Sequence, residues 1–351
     1  MTEKELADKL KISLTKDNKP EDILFFTGAG ISAPDPCSFP LGQELHRILL
    51  QYYTDMTSWE IEGFLNQNPI PFERTVEIIL EEYGNLDHQN RGFDLLNDIF
   101  IYRNDEANWK VDNDYHKYFR YHVQNGGKHF TVNLDQFIEL GEQGRIQLLT
   151  ANDIDDKNGA FNIENFDHSG FLFKIHGDSN LDPVGLQGFL HRVIGNGFTD
   201  KVQNFFDRQI QQVNTVIFVG YGGVDQFDIT PYFENKPNCF FENTTALWIN
   251  YSRDNEISIS ENLSQSQQTI LSKFSDWACV QCSPEIILNT LFNNNSSDIG
   301  TAHRNNGYRK EYENFFRINT TREIVDNDQN IEDNNLREYM LRRRRIRGRL
   351  I

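Results

Sequence analysis

The chain holds little cysteine. Cys37, Cys239, Cys279 and Cys282 are the four it has in 351 residues, too few and too scattered to brace a disulfide-dependent fold. No apolar run approaches the length that crosses a membrane. The opening residues MTEKELADKLKIS are charged and carry no apolar core of a secretory leader, so a cytoplasmic setting is expected. Basic charge is also scarce. Lys and Arg number 34 against 52 Asp and Glu, a formal net charge of −18 that disfavours general nucleic-acid binding by the body of the protein. The exception is Arg342–Arg349, with six arginines in eight residues. It reads as a solvated tail or as a dock for an acidic partner surface or nucleic acid.

What is present is a packed globular protein. Hydrophobic residues make up 38% and aromatics 13%, with 27 Phe, and the length suffices for a large core in one elaborated domain or two. The chain is organised around ILFFTGAGISAPDPCSF at 23–39. Four apolar residues run into Gly28-Ala29-Gly30, as a buried parallel strand does when it ends in a tight turn. Glycine there lets a ligand approach the main chain, and the Ile31 and Ser32 N–H groups that follow suit a phosphate. The third glycine of the usual dinucleotide fingerprint is missing.

In chain order, Glu3–Leu14 has helical spacing, and Lys19-Pro20 separates it from the strand. Gln43–Tyr53 and the residues on to Tyr121 read as helical, with breaks at Asn68-Pro69 and near Gly84, so a helical insertion over about 43–121 is expected above the ligand site. Strand signals follow at His129–Leu134, Arg145–Thr150, Gly170–Ile175, Thr215–Val219, Ala246–Ile249 and Trp277–Gln281, with helical patterns at Leu186–Ile194 and Asp200–Val213 between them. Short apolar strands alternating with helices predict an α/β fold with a doubly wound, mostly parallel Rossmann-like sheet. Residues 1–282 are expected to form that unit. Residues 283–351 are expected to form a helical, partner-docking segment, with helices near Ile286–Phe292, Tyr308–Phe316 and Asn335–Arg345.

In such folds ligands lie at the carboxyl ends of strands, and three ends are unusual here. Thr131-Val132-Asn133-Leu134-Asp135 delivers an amide and a carboxylate; turn chemistry alone also favours both. Lys174-Ile175-His176-Gly177-Asp178 delivers an imidazole, which is either a structural histidine or a proton-transfer group. Gly220-Tyr221-Gly222-Gly223-Val224-Asp225 is a second glycine-rich exit.

The order GAGIS, N-x-D, HG, a glycine-rich exit and an I-N strand end resembles the sirtuin family of NAD-consuming proteins over roughly Ile23–Ser252. The resemblance implies that Gly28, Ala29, Gly30 and Ser32 cradle the NAD+ pyrophosphate. It implies that Asn133 holds a water or the ribose, that Asp135 binds the carboxamide and that His176 is the general base. Gly220, Tyr221 and Gly222, with Asn250, would line the adenosine end. The family's deacylases carry two Cys-x-x-Cys pairs between the HG motif and the second glycine exit, whereas no cysteine lies between His176 and Gly220. Cys279 and Cys282 sit on an expected strand, where residues three apart face opposite ways. The chain therefore looks most like the zinc-free branch found in bacterial anti-phage defence. That likeness implies hydrolysis of NAD+ without zinc or another metal, a homo-oligomer, and gating by a partner such as a HerA-like ATPase or an Argonaute-type sensor. Two other readings stand beside it: a non-catalytic module that binds NAD or ADP-ribose, and a metal-dependent nuclease built on Asp153, Asp155 and Asp156 with Lys157, a stretch that itself reads as a solvated loop.

Overall fold

In the computed structural model, the apolar run Ile23–Thr27 is strand β1, buried along its whole length. The structure describes residues 19–34, 37, 39, 41–54, 56–67, 70–72, 74–76, 78, 113–139, 145–155, 161–167, 169–177, 197–223, 225, 227–253 and 256–291. Strand β1 has no solvent face: its residues enter cores on both sides of the sheet, and in the plane parallel neighbours flank it, β2 (Lys128–Thr131) on one side and β5 (Thr215–Val219) on the other. Beyond β2 lie β4 (Phe171–Lys174) and then β3 (Leu148–Thr150). Beyond β5 lie β6 (Phe241–Tyr251), β8 (Phe274–Cys282) and the two-residue β7 (Ser258–Ile259), the single antiparallel member. The order is β3-β4-β2-β1-β5-β6-β8-β7. The chain leaves β1 toward β2 and later returns to the other side of β1 as β5, which places the topological switch point between β1 and β5.

Alternation along the strands supplies two cores. Leu24 and Phe26 belong to one, Ile23 and Phe25 to the other. Helices α5 (Asp200–Gln211), α6 (Ile229–Glu234) and α7 (Gln265–Leu271) contribute to the first. There the phenylalanine content is spent: Phe130 meets Phe173 at 5.3 Å and Phe206 at 4.8 Å between ring centres. Helices α3 (Asp114–Gln124) and α8 (Pro284–Leu291) cover the second. Cys279 lies in the first core and Cys282 in the second, so the two thiols occupy opposite faces of the sheet.

Between β1 and β2 the described elements are helices: α1 (Gly42–Tyr53), α2 (Ser58–Gln67), helical residues within 72–78, and α3. Strand limits differ from the sequence expectation. Strand β2 stops at Thr131 because Thr131 Oγ1 accepts from the Asn133 amide at 3.1 Å, turning the chain. Strand β6 starts five residues before Ala246, and β7 is too short to leave a periodic pattern. The acidic stretch expected as a loop begins instead as a helical turn, α4 (Ala151–Ile154), because Asp153 Oδ2 accepts from the Thr150 amide and hydroxyl. The expected elements at 3–14, 186–194, 308–316 and 335–345, much of the insertion, Asp156, Lys157, Asp178, Val224 and the arginine tail lie outside the described residues. Among the described residues no helix is long and apolar enough to cross a membrane.

Among the described residues four imidazoles are buried: His46 on α1, His116 and His122 on α3, and His129 on β2. Burial lowers His46 and His122 to about 4 and carries His116 and His129 well below the ordinary value of 6.5. The unfolded chain therefore binds these protons first as pH falls, and stability drops below about pH 6.5, by up to ~1.4 kcal/mol per pH unit for each histidine. Asp135 and Asp225, raised by burial, oppose this because the folded state keeps their protons to higher pH, but four groups outweigh two. Urea midpoints at pH 7.5, 6 and 5 are expected to fall steadily; a flat profile would mean that the imidazoles are charged in the fold.

Candidate functional site

Because β4, β2, β1, β5 and β6 run parallel, their carboxyl ends share one edge of the sheet. Along that edge the expected site residues follow each other in space: His176 after β4, Asn133 and Asp135 after β2, Gly28–Ser32 after β1, Gly220–Gly222 after β5, and Asn250 near the end of β6.

The centre of this row is a backbone contact. The Gly30 amide donates to the Gly220 carbonyl at 2.9 Å, and the Gly28 amide reaches the Val219 carbonyl at 3.4 Å. A Cβ on Gly30 would lie 2.7 Å from Gly220 Cα, and Gly220 itself has φ +63, so both positions need glycine. The Ile31 and Ser32 amides close a 3-10 turn onto the Gly28 and Ala29 carbonyls. Four of the amides expected to cradle a pyrophosphate are thus spent within the protein; the Ala29 amide takes no part in these bonds.

Next to this contact lies a buried network. Ser32 Oγ donates to Asp135 Oδ2 at 2.9 Å, and Asp135 Oδ1 accepts the Phe137 amide at 3.2 Å. Asn133 Nδ2 donates to Ser32 Oγ at 3.3 Å, and His116 Nε2 lies 3.0 Å from the same oxygen. Burial pushes the Asp135 carboxyl up, while Lys174 and the bonds from Phe137, Ser32 and Asn133 pull it back. Lys174 pins the loop by donating to the Asp135 carbonyl at 2.6 Å, the Leu134 carbonyl at 3.3 Å and Glu139 Oε1 at 2.7 Å.

The second cluster surrounds His176, whose Nε2 lies 2.9 Å from Asp228 Oδ2 and 3.6 Å from Asp225 Oδ1. Asp228 also caps α6 through the Ile229 amide at 2.6 Å. Burial raises Asp225, His176 draws it down, and Asp228 raises it again. One donor atom from each of His176, Asp225 and Asp228 lies within 4.8 Å of the others, a set that suits a divalent cation.

Four of the expected site residues are engaged within the protein. Ser32 is fully buried and faces Asp135 and His116, so its hydroxyl is turned away from a pyrophosphate. Both Asp135 oxygens accept bonds from the protein, Oδ2 from Ser32 and Oδ1 from the Phe137 amide, which organises its loop. The Tyr221 ring is a core side chain, 4.8 Å from Phe26 and 5.5 Å from Trp248, and anchors its loop without lining an adenosine site. Asn250 is tied to Gln267 Nε2 at 2.9 Å and Cys279 Sγ at 3.3 Å. Asn133 and His176 stand at the exits of β2 and β4, and Ala29, Gly30, Gly220 and Gly222 retain exposed surface. Sequence reasoning missed His116 and Asp228. The only local signal for Asp228 was an acidic residue before the apolar start of α6; His116 had none, since it meets Ser32 across 84 residues. Asp153 and Asp155 are occupied by Thr150 and Thr199.

No protein-family model matches the chain, and no curated protein matches it in sequence.

Gly30→Ala is expected to cost about 1–3 kcal/mol, since backbone must move to admit the methyl group. Gly63→Ala in α2, with nothing within 4 Å, should be neutral or stabilising. Urea unfolding of both decides it, and equal midpoints would mean the two exits are not in contact.

Proposed function

We propose that the protein hydrolyses the nicotinamide–ribose bond of NAD+, giving nicotinamide, ADP-ribose and a proton. The observation that carries this reading is the pairing of two glycine exits at the switch point, with Asn133 and a carboxylate-held His176 on the same edge. Nicotinamide leaves as a neutral molecule from a positively charged ring, so the harder task is to capture the oxocarbenium-like centre with water.

The residues divide that task. Ser32 gives its proton to Asp135, so the Asn133 atom facing Ser32 is an N–H. Asn133 Oδ1 is then the acceptor that would orient the attacking water or a ribose hydroxyl. His176 would take the water's proton. With Nε2–H directed at Asp228, the ring's basic lone pair is on Nδ1, and the two carboxylates stabilise the imidazolium that forms. Asp135 acts through Ser32 and Asn133.

By the sirtuin-like resemblance, the activity would deplete NAD+ in anti-phage defence inside the cytoplasm. The protein would be held in check as a homo-oligomer or by a partner such as a HerA-like ATPase, with the arginine tail as a docking element. The His176, Asp225 and Asp228 donor set favours a second reading, in which a cation at that cluster activates the water.

Purified protein incubated with NAD+ is expected to release nicotinamide and ADP-ribose, read by chromatography. His176→Ala should slow this by about 10²–10⁴-fold while NAD+ still binds. Unchanged turnover after chelation supports the base; loss on chelation, restored by Mn2+, supports the cation. Saturable binding without turnover would indicate a sensor, and no binding would end the reading.

A further inference from the structure

Helix α3 enters the site through one side chain that the reaction does not require to touch substrate. His116 is fully buried, and its ring stacks on Phe137 at 4.8 Å and an interplanar angle of 13°. Its hydrogen bonds fix its tautomer. The Asn113 amide donates to Nδ1 at 3.2 Å, so Nδ1 is the acceptor and Nε2 carries the hydrogen. Nε2–H therefore donates to Ser32 Oγ. Cys37 Sγ also lies 3.6 Å from Nδ1 and suits an acceptor there. The direction of the whole chain follows: Asn113 N–H to His116, His116 to Ser32, Ser32 to Asp135, with Asn133 donating to Ser32 as well.

We propose that His116 is a positioning residue for the proposed hydrolysis: its neutral Nε2–H holds the Ser32 hydroxyl pointed at Asp135 and thereby holds the Asn133 amide with Oδ1 toward the substrate. The inference rests on the hydrolase reading for its effect on rate, but not for the direction of the network. Without an Nε2–H donor, Ser32 Oγ is free to turn its proton toward the vacated side. Asp135 then loses a donor, and the Asn133 amide loses the restraint on which end faces outward. A charged ring would fail too, because an Nδ1–H would oppose the Asn113 N–H, and Arg120 nearby adds repulsion. A second bond ties the same helix to the glycine exit: Asn113 Nδ2 donates to the Ile31 carbonyl at 2.7 Å. The helical insertion is thus joined to the residues that orient the water, so its placement bears on turnover.

The experiment uses the full chain. His116→Phe keeps an aromatic ring against Phe137 and removes the donor; His116→Gln places an amide N–H near the position of Nε2. The Phe variant is expected to lose about 10–100-fold in kcat with KM within about threefold of wild type, and the Gln variant to recover most of that loss. Selective 15N labelling of histidine should show His116 as the Nε2–H tautomer with no titration from pH 8 to 5. A folded Phe variant at wild-type kcat, a loss confined to KM, or no recovery in a folded Gln variant overturns the positioning role. An Nδ1–H or titrating ring overturns it whatever the turnover. A wild type that binds NAD+ without hydrolysing it overturns the hydrolase reading and the rate effect together, while the tautomer measurement still decides the network's direction.

Discussion

The bond from the Gly30 amide to the Gly220 carbonyl is the constraint from which the arrangement of the site follows. It joins the exits of β1 and β5 where the sheet's winding reverses, and it forms only if neither position carries a side chain. With Gly220 in a left-handed conformation, the chain leaving β5 does not climb straight into a helix. Eight residues after Gly220, Asp228 meets His176 at the end of β4. Three strand spacings separate β5 from β4, about 14 Å, a span that eight residues cover comfortably. A bulkier residue at either glycine would lift this crossing segment and withdraw Asp225 and Asp228 from the imidazole.

The two buried acidic centres on this edge are stabilised by different means, and the difference sorts their roles. The Asp135 carboxylate receives hydrogen bonds from a serine hydroxyl and a backbone amide, with Asn133 and the Lys174 ammonium close by. None of these changes protonation near neutrality, so this centre is suited to holding geometry. Asp225 and Asp228 face each other with one imidazole between them. That centre contains the side chain whose ordinary pKa lies near neutral pH. The positioning proposed for Ser32, Asn133 and His116 and the proton exchange proposed for His176 are thereby separated in space.

Much of the fold was legible because it is local. The run 23–26 is uniformly apolar and leads through Thr27 into glycine, Thr215–Val219 was delimited to the residue, and the cysteine pair on β8 faces opposite ways as strand periodicity requires. Limits set by side chains were not legible. Thr131 Oγ1 ends β2 and Asp153 starts α4, and neither hydroxyl nor carboxylate announces in sequence which amide it will take. At the site, sequence located the strand exits but not the direction in which each side chain turns. Ser32, Asp135 and Tyr221 all turn inward: Ser32 toward Asp135, 103 residues away, Asp135 toward the Phe137 amide, and the Tyr221 ring toward Phe26 and Trp248. His116 was invisible for the same reason at longer range: an amphipathic helix shows which face is apolar, not which single polar group on that face meets a serine from another element.

The inward turn also changes how a dinucleotide would be held. In the familiar strand–turn–helix site the pyrophosphate rests on free amides at a helix N-terminus. Here the amides of Gly28, Gly30, Ile31 and Ser32 serve the loop itself, and the 3-10 turn at Ala29–Ile31 is a single turn with little dipole to offer. Polar groups with defined orientation are concentrated instead at the β2 and β4 exits, where Asn133 and His176 stand. If the proposed hydrolysis occurs at that end, most of the interaction energy these loops supply is placed on the bond being broken and little on the phosphates. Such a distribution favours stabilisation of the transition state over tight binding of the ground state, which is what an enzyme that consumes an abundant cellular nucleotide requires: retention of the substrate matters less than rapid turnover once the site is assembled.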